Sequence, residues 1–223
     1  MIRKFGILAA MLAAMLAALL AMILTGCGKS PSQEYTLGNN VRSEQFNAVD
    51  AWEEFISETI SFRVEDGVYR AFAPEGGWIW GLDVNGATHT DVVIEVETEQ
   101  LSSYNNNGYG VLCRADVSNN GDGYYFAISG DGFYLIGRGN GDSIDSLVEW
   151  TESNKINEGQ ARNTLRAVCI GDYLALYVNG DFVAEARDSM FSSGLAGFAV
   201  AAESQTVDIV FDNLNVWEVT PRN

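Results

Sequence analysis

Three glutamates in one segment of the chain, Glu95, Glu97 and Glu99, are separated from one another by single residues. Alternate side chains of a β-strand project to the same face, so the three carboxylates are expected to share one side. Paired carboxylates flanking a glycosidic bond are what glycoside hydrolysis requires. The trio is therefore a candidate for catalysis, and the alternative that we favour is a solvated outer face of a strand.

Other kinds of catalytic site have little support in the residue types. His89 is the only histidine, and its context GATHTD holds no serine of the nucleophile-elbow kind. One histidine and three cysteines do not indicate a zinc centre. No glycine-rich phosphate loop follows a predicted strand, so the sequence gives no support to nucleotide chemistry.

The N-terminus has the pattern of an export signal. Arg3 and Lys4 precede an uncharged and almost wholly apolar run over residues 5–26, which is typical of a signal peptide. The run closes with LTGC at residues 24–27, and this order resembles the lipobox of bacterial lipoproteins. It predicts cleavage before Cys27 and acylation of that cysteine by diacylglycerol and palmitate-type chains. The alternative is a transmembrane anchor, since about 20 apolar residues can span a bilayer.

Under both interpretations the rest of the chain is exported. The lipid on Cys27 is expected to be the only membrane contact, on the outer face of the cell membrane or at the outer membrane. Removal of residues 1–26 takes away two positive charges and no negative ones, which turns the net charge of −17 into −19. So acidic a surface argues against nucleic acid and anionic lipid as partners. We expect a monomer.

The chain changes character along its length. Residues 28–47 are polar without apolar periodicity and predict a mobile linker. Residues 48–60 predict a short helix with Trp52 and Phe55 on one side. Beyond them, β-branched and aromatic residues form twelve short runs separated by Gly, Asn and Asp, a pattern typical of antiparallel two-sheet sandwiches. We therefore expect an all-β protein in three parts: signal peptide 1–26, lipidated linker 27–47 and sandwich domain 48–223.

Two cysteines remain besides the one in the lipobox. In YGVLCRA, Cys113 shares its face with Val111, and in TLRAVCI, Cys169 shares its face with Leu165. Each cysteine therefore lies on the apolar face of a predicted strand. A disulfide between them is the interpretation that we prefer for an oxidising compartment. Two buried free thiols are the alternative.

The order of segments from about Ser61 to Val219 resembles the concanavalin A-like jelly roll. It runs through YGVLCR, GYYFAISGDGFYLI, TLRAVCIGDYLALYVNGDFV and GLAGFAV to VFDNLNVWEV. The pattern is nearest to the LamG-like and 3-keto-disaccharide hydrolase-like domains of bacterial lipoproteins. The resemblance implies a curved sandwich whose concave sheet receives a carbohydrate, in many members without cleaving it. The laminarinase-type acidic strand has a different order, Glu, apolar, Asp, apolar, apolar, Glu, from which the segment around Glu97 departs.

The resemblance also implies where a sugar would bind. Arg114, Tyr125 and Tyr177 match family positions that tend to face the concave side. Sugar recognition needs aromatic plates for the ring and planar polar groups for its hydroxyls. The predicted carbohydrate-binding residues are the plates Tyr125, Tyr134, Trp150 and Tyr177 and the hydrogen-bonding partners Arg114 and Asn163. For each aromatic the alternative is a filler of the core or of a sheet surface.

The resemblance implies one cation site. Related carbohydrate-binding sandwiches often hold a structural calcium ion near the chain end, which makes Asp212 a candidate ligand. The alternative is that Asp212 and Asn213 only edge the sheet. The predicted function itself requires no cofactor.

Three functions follow from these observations. The one that we favour is the non-catalytic capture of a poly- or oligosaccharide by an envelope-tethered lipoprotein. The second is a glycoside hydrolase or lyase of the 3-keto-disaccharide hydrolase-like type, which needs two acid/base side chains converging on the cleft. The third is a structural or protein-interaction lipoprotein, which predicts a blocked groove or one without exposed aromatic rings.

Overall fold

The computed structural model describes residues 30–48, 52–141 and 143–222, and every regular element within them is a β-strand. The predicted signal peptide and the lipidation site at Cys27 lie outside the described residues. The chain divides into two units, Met1–Ser30 and Pro31–Asn223. No helix in the described ranges is long and apolar enough to cross a membrane.

The described strands of Pro31–Asn223 form two antiparallel sheets, A and B. Sheet A contains β1 (Tyr35–Glu44), β2 (Phe55–Ile56), β3 (Ser61–Glu65), β4 (Val68–Ala73), β6 (Val92–Gln100), β11 (Arg162–Ile170), β12 (Tyr173–Val178), β13 (Asp181–Arg187) and β15 (Val207–Pro221). Sheet B contains β5 (Gly77–Leu82), β7 (Asn107–Ala115), β8 (Gly123–Ile128), β9 (Phe133–Asn140), β10 (Ser143–Glu152) and β14 (Leu195–Ala202). Sheet A has the order β13-β12-β11-β6-β15-β4-β3-β2 with β1 added to β15, and sheet B has the order β10-β9-β8-β7-β14-β5. The predicted all-β sandwich is confirmed.

The core lies between the two sheets and is rich in aromatic rings. Phe198 of sheet B stacks on Phe211 of sheet A with ring centroids 4.3 Å apart, and on Trp52 at 4.6 Å. All three side chains are buried. Large rings remove much apolar area from water, and offset stacking adds to that gain. This aromatic stack fixes the two sheets face to face.

A disulfide joins the sheets through the core. Cys113 lies in β7 of sheet B and Cys169 in β11 of sheet A, both fully buried, and the bond closes a separation of 56 residues. The preferred prediction of a core disulfide is confirmed. On the chain-entropy model a loop of this length stabilises the folded state by about 4 kcal/mol.

The prediction of a mobile linker over residues 28–47 is wrong for half of its length. Residues 35–44 form β1, which pairs antiparallel with β15 from Tyr35↔Pro221 to Glu44↔Leu214. β15 is 15 residues long, and β4 covers only Val207–Phe211 of its edge. The remainder would be an exposed, unpaired edge, so β1 satisfies its backbone groups. Most β1 side chains are exposed, which explains why no apolar period is visible there.

The predicted helix over residues 48–60 is also wrong. Residues 52–60 contain no helix, and Phe55–Ile56 forms the short strand β2 at the edge of sheet A. Trp52 enters the core, whereas Phe55 stacks on Phe62 of the neighbouring strand with centroids 5.0 Å apart. The two aromatic residues are held by different tertiary partners, and these override the weak local helical pattern.

Candidate functional site

The outer face of sheet B, turned away from the core, carries very small side chains in its middle. The pairing of β5, β14 and β7 places Trp78, Ala201 and Gly108 in one row across three strands. The next row on this face contains Trp80, Ala199 and Gly110. Because alanine and glycine leave the backbone bare, each row has space for an indole ring to lie across the neighbouring strands.

Two indoles approach the same stretch of bare backbone. A methyl group added at Gly108 would lie 2.9 Å from Cη2 of Trp78 and 3.4 Å from Cη2 of Trp150. Trp150 is on the edge strand β10, where the pairing with β9 shifts register between Val148 and Thr151. Such a bulge re-aims side chains. Trp150 is 40% exposed, so its ring is available to a ligand.

The two tryptophans border a recess of about 410 Å³, a size suited to a small ligand. Its lining is Gly77, Trp78, Asn106, Asn107, Gly108, Ser129, Asp131, Phe133, Trp150, Ala201, Ala202 and Glu203. The recess thus combines an aromatic wall, a floor of backbone and small side chains, and a rim of amides and carboxylates. We call it the tryptophan recess.

Three loops supply the polar rim of the tryptophan recess. Oε2 of Glu203 accepts a hydrogen bond from Nδ2 of Asn106 at 3.2 Å. Oδ1 of Asp131 accepts one from the hydroxyl of Ser129, and the backbone N–H of Asp131 donates to the carbonyl of Asn105 at 3.1 Å. Amide and carboxylate oxygens on such loops can accept hydrogen bonds from the hydroxyls of a ligand.

Buried amides hold two of these loops in place. Asn107 donates from Nδ2 to Oε1 of Gln100 at 3.0 Å, and its Oδ1 accepts the N–H of Gly130 at 3.0 Å. Gln100 in turn donates to the carbonyls of Ser102 and Tyr104 at 2.9 and 3.1 Å. Both amides are almost fully buried, where paired polar groups strongly favour one arrangement. The pair therefore fixes the segments that carry Asn106 and Asp131.

Of the six predicted sugar-binding residues, only Trp150 lines the tryptophan recess. Tyr125 projects outward from β8 of sheet B, but Trp78 packs on it edge to face with centroids 5.6 Å apart. The Tyr125 ring is 1% exposed, and its hydroxyl donates to the carbonyl of Gly121 at 2.8 Å. Burial raises the pKa of this hydroxyl. Tyr125 therefore supports the recess from below and does not form its surface.

The prediction that Arg114 contacts a sugar does not fit its surroundings. The guanidinium group is fully buried and donates to the carbonyls of Thr90, Gly171 and Phe191 at 2.8 to 2.9 Å. It also pairs with Asp91 at 3.3 Å. Arg114 has a positive φ of 55°, at a point where the register between β7 and β14 shifts. The bulge turns the side chain to the end of the sandwich, so its role is structural.

The other three predicted residues lie away from the recess. Asn163 is buried, and its amide bonds both the N–H and the carbonyl of Asn157 and also Nδ2 of Asn179. Tyr134 is a core residue with 5% exposure. Tyr177 lies on the outer face of sheet A beside Phe182, with centroids 5.5 Å apart. The predicted plates are thus distributed over the core and both outer faces.

The three alternating glutamates lie on the outer face of sheet A and have partners there. Glu95 pairs with Arg166 at 2.6 Å and Glu99 with Arg162 at 2.8 Å. Glu97 accepts a hydrogen bond from Nδ2 of Asn213 at 3.1 Å. These contacts fit the alternative of a solvated strand face better than a catalytic pair.

Asp212 lies next to Glu97 in the register of β15 and β6. Its Oδ1 accepts the N–H of Asn213 at 2.7 Å. Among the described residues, no cluster of three or more histidine, cysteine, aspartate or glutamate side chains is arranged to hold a metal ion. Calcium binding at Asp212 stays a prediction.

Sequence reasoning missed most of the tryptophan recess. Trp78 belongs to the segment WIWGL, whose alternation of two tryptophans with Ile79 was a usable signal of a two-sided strand. Asn106, Asp131 and Glu203 lie in loops, where periodicity gives no information. Their convergence depends on the pairing of β7 with β14 and was not accessible from local pattern.

Solved structures share this architecture at low sequence identity. The carbohydrate-binding module CBM66 from Bacillus subtilis superposes with a TM-score of 0.58 at 16% identity, over 86% of this chain and 99% of that one. A protein of unknown function with a galectin-like fold from Bacillus subtilis gives 0.61 at 11% identity, over 85% and 100%. The catalytic domain of an endo-1,3-beta-glucanase (laminarinase) from Thermotoga petrophila gives 0.56 at 10%, over 83% and 98%.

No protein-family model and no curated protein sequence matches the chain. Identities below a quarter carry information about fold, and function has to be argued from the site itself. The strand order, the two antiparallel sheets and these superpositions agree. The chain has the concanavalin A-like jelly-roll fold.

Proposed function

We propose that this protein is a non-catalytic carbohydrate-binding lipoprotein, tethered to the cell envelope by lipid on Cys27, which captures glycan in the tryptophan recess. The observation that carries the proposal is the pair of indoles, Trp78 and Trp150, that converge on the bare backbone at Gly108. The apolar C–H face of a pyranose ring packs well on an indole. The hydroxyls at the ring edge are then directed towards a polar rim.

The rim supplies the groups that such a ring needs. Asn106 offers both donor and acceptor atoms, and the carboxylates of Asp131 and Glu203 accept hydrogen bonds from hydroxyls. A carbohydrate-binding module and glucanases are among the solved structures of similar fold, which supports a glycan as the ligand class. Fold alone does not decide between binding and cleavage.

A glycoside hydrolase or lyase of the 3-keto-disaccharide type is the second candidate. One observation favours it, since two carboxylates, Asp131 and Glu203, line the same recess. Against it, each carboxylate already accepts a hydrogen bond, Asp131 from Ser129 of its own loop and Glu203 from Asn106 of another loop. The outward side chains of β8, Tyr125 and Ala127, carry no acid. A binding module is therefore the better account.

Affinity measurements on the processed chain, with Cys27→Ser to prevent dimerisation, test the proposal. A panel of β-glucans, mannans and cell-wall glycans should contain at least one ligand. For that ligand Trp150→Ala should weaken binding about tenfold, because one aromatic contact contributes about 1.5 kcal/mol. Phe72→Ala is the matched control, since Phe72 is exposed to a similar extent on sheet A. Absence of any glycan ligand, or equal losses in the two variants, would refute the proposal.

The catalytic alternative and the tether have their own tests. Incubation with 3-keto-disaccharides should release no monosaccharide, and a release that Glu203→Gln abolishes would replace binding by catalysis. Mass spectrometry of the protein from bacterial membranes should find acyl chains on Cys27. An unprocessed N-terminus would favour the transmembrane alternative.

A further inference from the structure

The charge pattern around the tryptophan recess indicates which glycans it prefers. Every one of the ten Lys and Arg side chains in the described part of the chain forms an ion pair with a carboxylate. None of the ten lines the recess. The positive charges of the domain are therefore already neutralised at other places.

The carboxylates of the recess have no such partner among the described residues. Within this part of the chain Asp131 and Glu203 form no ion pair, and their side-chain hydrogen bonds come from the neutral groups of Ser129 and Asn106. A third carboxylate is close by, because a methyl group added at Gly132 would lie 3.2 Å from Oε1 of Glu158. The recess thus holds uncompensated negative charge beside two indoles.

We propose, on the basis of the glycan-binding function above, that the tryptophan recess selects amino sugars with a free, protonated amine over sugars that carry a carboxylate or sulfate. An ammonium group is attracted both by the carboxylates of Asp131 and Glu203 and by the face of an indole. A uronate or sulfate would face like charge, and none of the described residues that line the recess is basic.

The proposed selectivity arises from contacts within the recess. It adds to the long-range electrostatic attraction that the whole domain exerts on cations. The chain is acidic overall, so any polycation gains some affinity from long-range attraction, which salt screens. Contacts within the recess act at short range, and removing a recess carboxylate should therefore matter more than removing a distant one. This difference gives the proposal a test.

Isothermal titration of the processed chain with three hexasaccharides provides that test: a glucosamine oligomer, its N-acetylated form and a galacturonate oligomer. At slightly acidic pH the glucosamine oligomer should bind about tenfold more tightly than the N-acetylated one, and the galacturonate oligomer least of all. Asp131→Asn and Glu203→Gln should each lower the ratio of the first two affinities about threefold to fivefold. Glu97→Gln, a matched loss of one charge on sheet A, should leave that ratio unchanged.

The outcomes separate this inference from the function on which it rests. If a neutral glycan binds and needs Trp150, but the amine gives no advantage, the inference is overturned and the binding function stands. If the amine advantage falls equally in the Glu203→Gln and Glu97→Gln variants, it belongs to the net charge of the domain and the inference is again overturned. If no glycan binds at all, the proposed function fails first.

Discussion

The two outer faces of the sandwich are built on the same strand alternation but carry opposite chemistry. On sheet A, one part of the outer face carries long charged side chains that pair across strands, as Glu95 does with Arg166, and the adjoining part is a closely packed apolar cluster around Val93 and Val168. On sheet B, outward positions in the middle of the sheet are glycine or alanine, and Trp78 lies across them. A charged face remains solvated and is complete without a ligand, whereas a face of bare backbone and indole can receive one. Candidate chemistry therefore has to be sought where side chains are small as well as where they are reactive.

The largest expected effect is on the free energy of unfolding, and it comes from removing the disulfide that joins the two sheets. The disulfide joins β7, whose outward side carries Gly108, to β11, whose outward side carries Arg166. The double variant Cys113→Ala, Cys169→Ala should lower the free energy of unfolding by about 4 kcal/mol, because the unfolded chain regains loop entropy. Urea denaturation measures this. A loss below about 1 kcal/mol would mean that core packing alone holds the sheets together.

The next largest effect tests whether Arg114 of sheet B stabilises the fold or binds glycan. Arg114→Met keeps most of the side-chain volume but leaves the carbonyls of Thr90, Gly171 and Phe191 without their donor. The free energy of unfolding should fall by about 3 kcal/mol. Glycan affinity of the folded protein should not change, because the guanidinium has no exposed surface. A selective loss of affinity at full stability would restore the predicted role of Arg114 in sugar binding.

A smaller effect is expected from raising the floor of the recess. Gly108→Ala places a methyl group 2.9 Å from Cη2 of Trp78, so the indole must shift. Affinity for a glycan should fall about fivefold to tenfold, with a change in unfolding free energy of about 1 kcal/mol or less. Ala175→Gly, on a strand of sheet A, is a control for affinity. Unchanged glycan binding in Gly108→Ala would separate Gly108 from the site.

The smallest effect tests the charged face. Hydrogen bonds from Arg70 and Arg63 outweigh burial and hold the pKa of Glu65 below its ordinary value of 4.5. Because the folded-state pKa is depressed, the stabilisation is present above pH 4.5 and is lost as the pH falls through the folded-state pKa. The contribution of this partly exposed group should stay below about 1 kcal/mol. Unfolding measured between pH 7 and pH 3 should show that component, and Glu65→Gln should lack it.

Much of the fold follows from local pattern, while the site does not. Alternation along β7 and β11 placed Cys113 and Cys169 in the core, and both side chains are there. The family resemblance placed Arg114 and Tyr125 on the concave face, but a bulge redirects the arginine and Trp78 covers the tyrosine. The alternation of side chains along a strand predicts which residues share a face. It does not predict the sheet to which the strand belongs, the positions of β-bulges, or the side chains of other strands that cover a residue.

The missed strand β1 illustrates the same point from the edge of sheet A. Residues 35–44 are polar because both of their faces are largely exposed, so nothing in composition separates them from a linker. What orders them is the uncovered half of the edge of β15. Asn106 and Glu203 were missed for the same reason. Their hydrogen bond joins residues 97 positions apart in the chain, so no local pattern reveals it.

The most direct test of whether the ligand binds on sheet B or on sheet A is a glycan titration. The indole N–H groups of all five tryptophans are followed in nitrogen–proton correlation spectra. Trp78 and Trp150 line the recess, whereas Trp217 lies on sheet A and Trp52 in the core. We expect shifts concentrated at Trp78 and Trp150, with Trp217 unmoved. Shifts at Trp217 with Trp78 and Trp150 unaffected would place the ligand on sheet A and contradict the account.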